Sequence, residues 1–363
     1  MVISQACELD CYKDGISERG SRMKLYDKIK DGVYIIAEMS ANHAGKLENA
    51  LKIVEEAAKA GADCVKIQTY TADTLTIDCK EEPYCIKGGL WDGYNYYQLY
   101  QEATTPWEWH QAIKDKCEEV GVDFLSTPFD PTAVDFLEEL GVEFYKIASF
   151  ELVDIPLIEH VASKGKPIVM SVGMGSIEEI NEALDACHRQ GNDQVVLLKC
   201  CSQYPAKFED MNVSVIGDMI ERFKVPIGLS DHSFGSHASV VAVSMGAKVI
   251  EKHVCLSREI ESPDSGFSME MSEFAKMVED VRNASVIMGR PTYDLTETEK
   301  NGLGGRRSLV AVKEIKQGEP FTSENVRSIR PAIGIKPKYY KELLTKCAKK
   351  DYRFGEPISM EEI

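Results

Sequence analysis

Eight short apolar runs, each followed by a segment with helical spacing, constrain the architecture more than any other feature of the chain. The runs are VYIIAEMS (33–40), ADCVKIQT (62–69), VDFLST (122–127), EFYKIAS (143–149), PIVMSV (167–172), QVVLLKC (194–200), VPIGLS (225–230) and AKVIEKH (247–253). They are rich in β-branched residues and nearly continuous in apolar character, which suits parallel strands buried on both faces. In LENALKIVEEAAKAGAD, Leu47, Leu51, Val54 and Ala58 align on one helical face, and Gly61 stops the helix. TAVDFLEELGVE, SIEEINEALDACHRQG and MSEFAKMVEDVRNASVIMG behave likewise. Eight such units predict an α/β fold, a (β/α)₈ barrel over residues 31–290, preceded by an N-terminal extension, 1–30. The gap between the second strand and its helix, 70–105, is long and holds Tyr84, Tyr94, Tyr96, Tyr97 and Tyr100. A loop of that length is a lid or a dimer contact. Residues 291–305 read as a polar linker, and 306–363 as a small module of short strands with Gly/Pro turns.

The net charge of −17 disfavours nucleic acid and anionic membranes as partners, since both are polyanions. No uninterrupted apolar stretch is long enough to span a bilayer, and the acidic N-terminus lacks the apolar core of a signal peptide. The 11 cysteines are scattered, several inside apolar runs, and form no C-x-x-C pair. A cytoplasmic protein with buried free thiols is expected, without a structural zinc site.

Chemistry in such a barrel belongs at the C-terminal ends of its strands. There the chain places Glu38, Lys66 and Gln68, Thr127, Lys146 and Ser149, Ser171, Lys199 with Ser202 and Tyr204, then Ser230, Asp231 and His232, and finally Glu251 and His253. A single polar strand end is ordinary; eight of eight argue for a ring around a polar ligand. Lys66, Lys146, Thr127, Ser149, Ser171 and Ser230 make a set suited to phosphate or carboxylate. His232 and His253 end adjacent strands and are read as an open divalent-metal site, manganese or magnesium rather than zinc, acting as a Lewis acid.

IIAEMSANHAG, GADCVKIQTY, FLSTPFD, YKIASFE, KCCSQYP, GLSDHSFG and VIEKH resemble, in order, the motifs of the sialic-acid synthase family, whose members condense phosphoenolpyruvate with an aminosugar. The tail VAVKEIKQGEPFTSENVRSIRPAIGI resembles that family's antifreeze-like, SAF-type domain. IKGGLWDGYNYYQLYQEATTPWEWH and RPAIGIKPKYY are similar to the branch that makes pseudaminic acid from 2,4-diacetamido-2,4,6-trideoxy-L-altrose. The branches making N-acetylneuraminate or legionaminic acid are the alternatives.

The resemblance implies that His232 and His253 bind a divalent metal (manganese, with magnesium or cobalt as alternatives). It surrounds phosphoenolpyruvate with Lys66, Thr127, Lys146, Ser149, Ser171, Ser202 and Ser230, and puts Glu38, Gln68, Tyr204 and Asp264 near the sugar. Glu38 is the expected general base, and Asp231 is expected to orient the His232 imidazole. Arg307, beside Arg306, is expected to enter the barrel of a partner subunit in a domain-swapped homodimer. A Schiff-base aldolase using Lys66, Lys146 or Lys199 is the competing enzyme class.

Overall fold

The computed structural model describes residues 24–363, which divide into two compact units at Gly289/Arg290. The expected extension therefore lies mostly outside the described residues.

In the first unit the eight runs are strands: β1 (Tyr34–Glu38), β2 (Cys64–Thr69), β3 (Asp123–Pro128), β4 (Tyr145–Ile147), β5 (Ile168–Ser171), β6 (Val195–Cys200), β7 (Ile227–Asp231) and β8 (Val249–Cys255). All pair in parallel in the order β3-β2-β1-β8-β7-β6-β5-β4, and β3 packs beside β4, so the ring is nearly closed. The principal helices are α2 (Leu47–Lys59), α5 (His110–Val120), α6 (Pro131–Leu140), α7 (Ile155–Ala162), α8 (Ile177–Arg189), α9 (Val215–Phe223), α10 (His237–Ser244) and α11 (Met271–Met288). None among the described residues is long and apolar enough to cross a membrane. On α2 the buried face is Ala50, Ile53, Val54 and Ala57, with Leu47, Leu51 and Ala58 only partly covered. The face is rotated from the expected one because small Ala50 and Ala57 let the helix lie close to the sheet.

Period-two alternation sorts the strand residues into two cores. Outward residues such as Ile35, Ala37, Val65, Ile67, Leu197 and Leu229 pack under the helices. Inward residues Tyr34, Ile36, Cys64, Leu125, Phe144, Val169, Val196, Leu198 and Val249 fill the lower barrel. Helix α1 (Lys24–Asp31) closes that end by inserting Leu25 and Ile29 into the same cluster, while Lys28 meets Asp123 at 3.4 Å. Gly228 is required there. A Cβ on it would stand 2.4 Å from the Val249 carbonyl oxygen and 2.6 Å from Leu198 Cδ2.

The long segment after β2 is ordered. It contains α3 (Ala72–Leu75), a bridge between Cys85 and Asn95, and α4 (Tyr96–Ala103), whose first turn is capped by the Asn95 side chain. The stretch read as a linker carries a short helix, α12 (Glu297–Gly302), because Thr296 and Glu299 form a capping box. In the second unit, β9 (Ser308–Ala311) and β10 (Val326–Ile329) pair antiparallel, and Leu309 packs with Ile315, Phe321, Tyr352 and Ile358.

Candidate active site

The alternation that fills the lower barrel with apolar side chains brings polar ones inward at the upper end. One residue beyond Ile36 on the same face is Glu38, and beyond Cys64 come Lys66 and Gln68. Phe144 is followed by Lys146, Val169 by Ser171, and Val249 by Glu251 and His253. Register then sets neighbours: Glu38 opposes Lys66 on one side and His253 on the other, and Ser230 opposes Glu251. Lys199 has the phase of Leu197, which faces the helices, and its ammonium donates to the Cys200 carbonyl. On β6 the inward position belongs to Cys200.

Two lysines define one half of the ring. Lys66 Nζ lies 2.7 Å from Glu38 Oε2, 3.6 Å from Glu251 Oε2 and 3.4 Å from Thr127 Oγ1. Lys146 Nζ donates to Ser171 Oγ at 2.6 Å and to the Ile147 carbonyl at 2.7 Å. Both lysines are almost fully buried. Burial pulls the Lys146 ammonium down to about 8, whereas two carboxylates hold the Lys66 ammonium above its ordinary value against the same desolvation. Ser149 Oγ accepts from the Gly173 amide at 3.0 Å, and Ser202 lies close by. Gly173 permits this approach, since a Cβ there would be 2.4 Å from Ser202 Oγ and 2.8 Å from Ser149 Oγ.

The other half holds the imidazoles, with ring centres 5.3 Å apart. His232 Nδ1 donates to the Cys201 carbonyl at 2.9 Å, which leaves Nε2 with its lone pair, 3.5 Å from Ser230 Oγ. Asp231 does not reach this imidazole. It accepts from the Ser233 amide and hydroxyl and from Ser239, and it pairs with Lys252 at 2.9 Å. The expected orienting role thus falls to the Cys201 carbonyl, because Asp231 keeps the outward phase of Leu229 while His232 turns in.

His253 Nδ1 is buried without a hydrogen-bond partner among the described residues, and burial with nearby positive charge keeps this ring neutral. Burial also opposes protonation of His232, but Cys200, the Cys201 carbonyl and Glu251 outweigh it. Among the described residues no three His, Cys, Asp or Glu side chains are grouped to hold an ion. The donor set is two imidazoles, which fits a cation that keeps water or substrate oxygens in its other positions and does not fit a closed zinc site.

Above the ring, Gln68 Nε2 donates to Glu38 Oε1 and to Ser40 Oγ, each at 3.0 Å. Ser40 opens a buried turn at φ 46°, a strained conformation for a non-glycine residue. Asp264 is buried beside that turn, accepting from the Ala41 amide at 3.4 Å, and burial raises its carboxyl. Tyr204 packs against His232 at a tilt of 33°, with ring centres 4.2 Å apart. Arg307 lies in the second unit, where it donates to the Ser328 carbonyl.

Three participants escaped the sequence reading. Glu151, in the turn after β4, has a buried Oε2 with no partner among the described residues, and burial pushes its carboxyl up to about 7 against the pull of Lys146. Its position four residues past the end of β4, beside an exposed Phe150, concealed it. Trp91 packs on Tyr204 and Phe267 from the long segment after β2. Gly173 offered no side chain to read.

The model of the NeuB family matches residues 53–293, and that of the SAF domain matches residues 306–363. A pseudaminic acid synthase of Campylobacter jejuni is 47% identical over 326 residues, covering 90% of this chain and 95% of that protein. Its Helicobacter pylori counterpart is 40% identical, covering 91% and 97%. The solved structure of an N-acetylneuraminic acid synthetase from Leptospira borgpetersenii superposes with a TM-score of 0.68 at 32% identity, covering 75% of this chain and 90% of that one. The chain belongs to the NeuB family, carrying that family's barrel followed by a SAF domain.

Proposed function

We propose that the protein is a pseudaminic acid synthase, condensing phosphoenolpyruvate with 2,4-diacetamido-2,4,6-trideoxy-L-altrose to give pseudaminic acid and phosphate. The observation that carries this reading is the division of one buried ring into a lysine–hydroxyl half and a two-imidazole half. Relatives at 47% and 40% identity support the choice of acceptor.

Lys66 and Lys146, with Thr127, Ser149, Ser171, Ser202 and Ser230, bind the phosphate and carboxylate of phosphoenolpyruvate and hold its C3 toward the aldehyde. His232 and His253 would hold a divalent cation, manganese in our reading, which when bound polarises the aldehyde oxygen. Gln68, Tyr204 and Asp264 bind the sugar. As C3 attacks, positive charge develops at C2 and water must add there. Glu38 or Glu151 takes the proton from that water. Glu38 is already paired with Lys66 and Gln68, whereas Glu151 forms no ion pair with either lysine and has a carboxyl near neutrality, so Glu151 is the base we favour. The fixed lysines then stabilise departing phosphate. Arg307 would complete the site of the partner subunit in a domain-swapped homodimer.

The deciding assay is phosphate release from phosphoenolpyruvate with three acceptors: the diacetamido-trideoxy-altrose, N-acetylmannosamine and the legionaminic acid precursor. Preference for either of the last two rejects the acceptor assigned here. The depressed Lys146 ammonium keeps one rival alive, since it favours a nucleophilic amine. Borohydride trapping of a substrate adduct, with turnover unaffected by chelators, would favour that aldolase.

A further inference from the structure

We propose that Trp91, with Phe267 and Tyr204, forms an apolar wall that selects an acceptor bearing a methyl at C6 and an acetamido group at C4 over one bearing hydroxyls at both places. This rests on the function proposed above and names the residue that sets its specificity.

The rings form a continuous path outward from the imidazoles. Tyr204 packs on His232 at 4.2 Å between ring centres, Phe267 stands 5.0 Å from His253, and Tyr204 and Phe267 are 5.1 Å apart. Trp91 comes next, 5.9 Å from Tyr204 and 6.5 Å from Phe267. It arrives from the long segment after β2, and its Nε1 donates to the Pro263 carbonyl at 2.9 Å. That bond ties the segment to the loop that follows β8. It also occupies the only polar atom of the indole, so what remains for a ligand is apolar ring. The path is anchored at its inner end, since Phe267 is 3% exposed.

An acceptor whose aldehyde oxygen is directed at the two imidazoles carries its C4–C6 end away from them, along these rings. A methyl and an acetamido methyl gain by covering aromatic surface. A hydroxymethyl group in the same place loses water and meets no partner. Gln68 and Asp264 are held by bonds to Glu38, Ser40 and Ala41, and we assign them to the remaining polar groups of the sugar and not to its C6 end. An apolar pocket of this kind discriminates by about ten- to a hundredfold and not more.

The test compares kcat/KM for the diacetamido-trideoxy-altrose and for N-acetylmannosamine in the full-length wild type, Trp91→Ala and Trp91→Phe. The indole is partly exposed on a loop, so both variants should stay folded, and thermal unfolding serves as the control that separates lost stability from lost selectivity. Trp91→Ala should lose about ten- to a hundredfold on the trideoxy sugar, mainly through KM, and little on N-acetylmannosamine. The KM for phosphoenolpyruvate should not move. Trp91→Phe keeps a ring but loses the Pro263 bond, and it should retain most of the selectivity. Equal losses on both sugars in Trp91→Ala, or a Trp91→Phe as unselective as Trp91→Ala, overturn the wall while leaving the acceptor assignment standing. A wild type that prefers N-acetylmannosamine overturns the acceptor assignment, and the wall with it.

Discussion

Lys252 is 2% exposed and sits between Glu251 and His253 on β8, so replacing it with methionine probes the buried charges behind the imidazoles. Its ammonium lies 2.9 Å from Asp231 Oδ2 and donates to the carbonyls of Ser233 and Gly235. Gly235, at φ +70°, closes the turn that presents this second carbonyl. Lys252→Met removes one partner of a buried ion pair, which costs about 3–5 kcal/mol. Asp231 keeps three donors, from the Ser233 amide, Ser233 Oγ and Ser239 Oγ, so the lower end applies, about 3 kcal/mol. For a barrel of this size each kcal/mol moves the Tm by about 2–4 °C, giving a fall of about 6–12 °C in the far-UV circular dichroism melt. Adding Asp231→Asn to Lys252→Met removes the stranded charge and should return about 1 kcal/mol or more. Because the pair holds the turn joining His232 to α10, manganese affinity by titration should weaken in Lys252→Met as well. A Tm change under about 2 °C would refute the reasoning. So would a double variant whose loss equals the sum of the two single losses, since then the charges do not interact.

Three further outcomes follow from the site. Phosphoenolpyruvate should bind less tightly as pH rises through about 8, where Lys146 loses its charge, and Lys146→Arg should flatten that profile; a KM constant from pH 7 to 9 in the wild type would contradict the assignment. For stability the sign is opposite: the unfolded lysine stays protonated to about pH 10.4, so between about pH 8 and 10.4 the unfolded state binds more protons and this group adds stability as pH rises. Gly173→Ala should push Ser149 and Ser202 apart and raise the KM for phosphoenolpyruvate by about tenfold or more, with the acceptor KM nearly unchanged in steady-state kinetics. Glu151→Gln should lower kcat by about 10²–10⁴ and abolish the rise in kcat as pH passes about 7, where the wild-type carboxyl becomes a base; an unchanged kcat–pH profile would assign the proton to Glu38 instead.

Much of this protein was legible without coordinates because strand periodicity is a local property. Once Ile36 faces inward, Glu38 must as well, and the same step carries Cys64 to Lys66 and Val249 to Glu251 and His253. The eight runs therefore determined both the barrel and most of its polar ring. What stayed hidden depends on which distant groups meet. Asp231 stands next to His232 in sequence, yet its oxygens are taken by Ser233, Ser239 and Lys252, and the carbonyl of Cys201, just past the end of β6, holds the imidazole. Glu151 became a candidate base only through the burial of an oxygen that finds no partner among the described residues. Trp91 comes to the proposed site only because the chain brings Pro263, 172 positions further on, to its indole nitrogen. The sequence by itself determined which side chains point into the barrel. Tertiary packing decided which of them were left with an unsatisfied atom to use, because hydrogen-bond satisfaction is settled by all the elements that converge on a point and not by the strand that carries the residue.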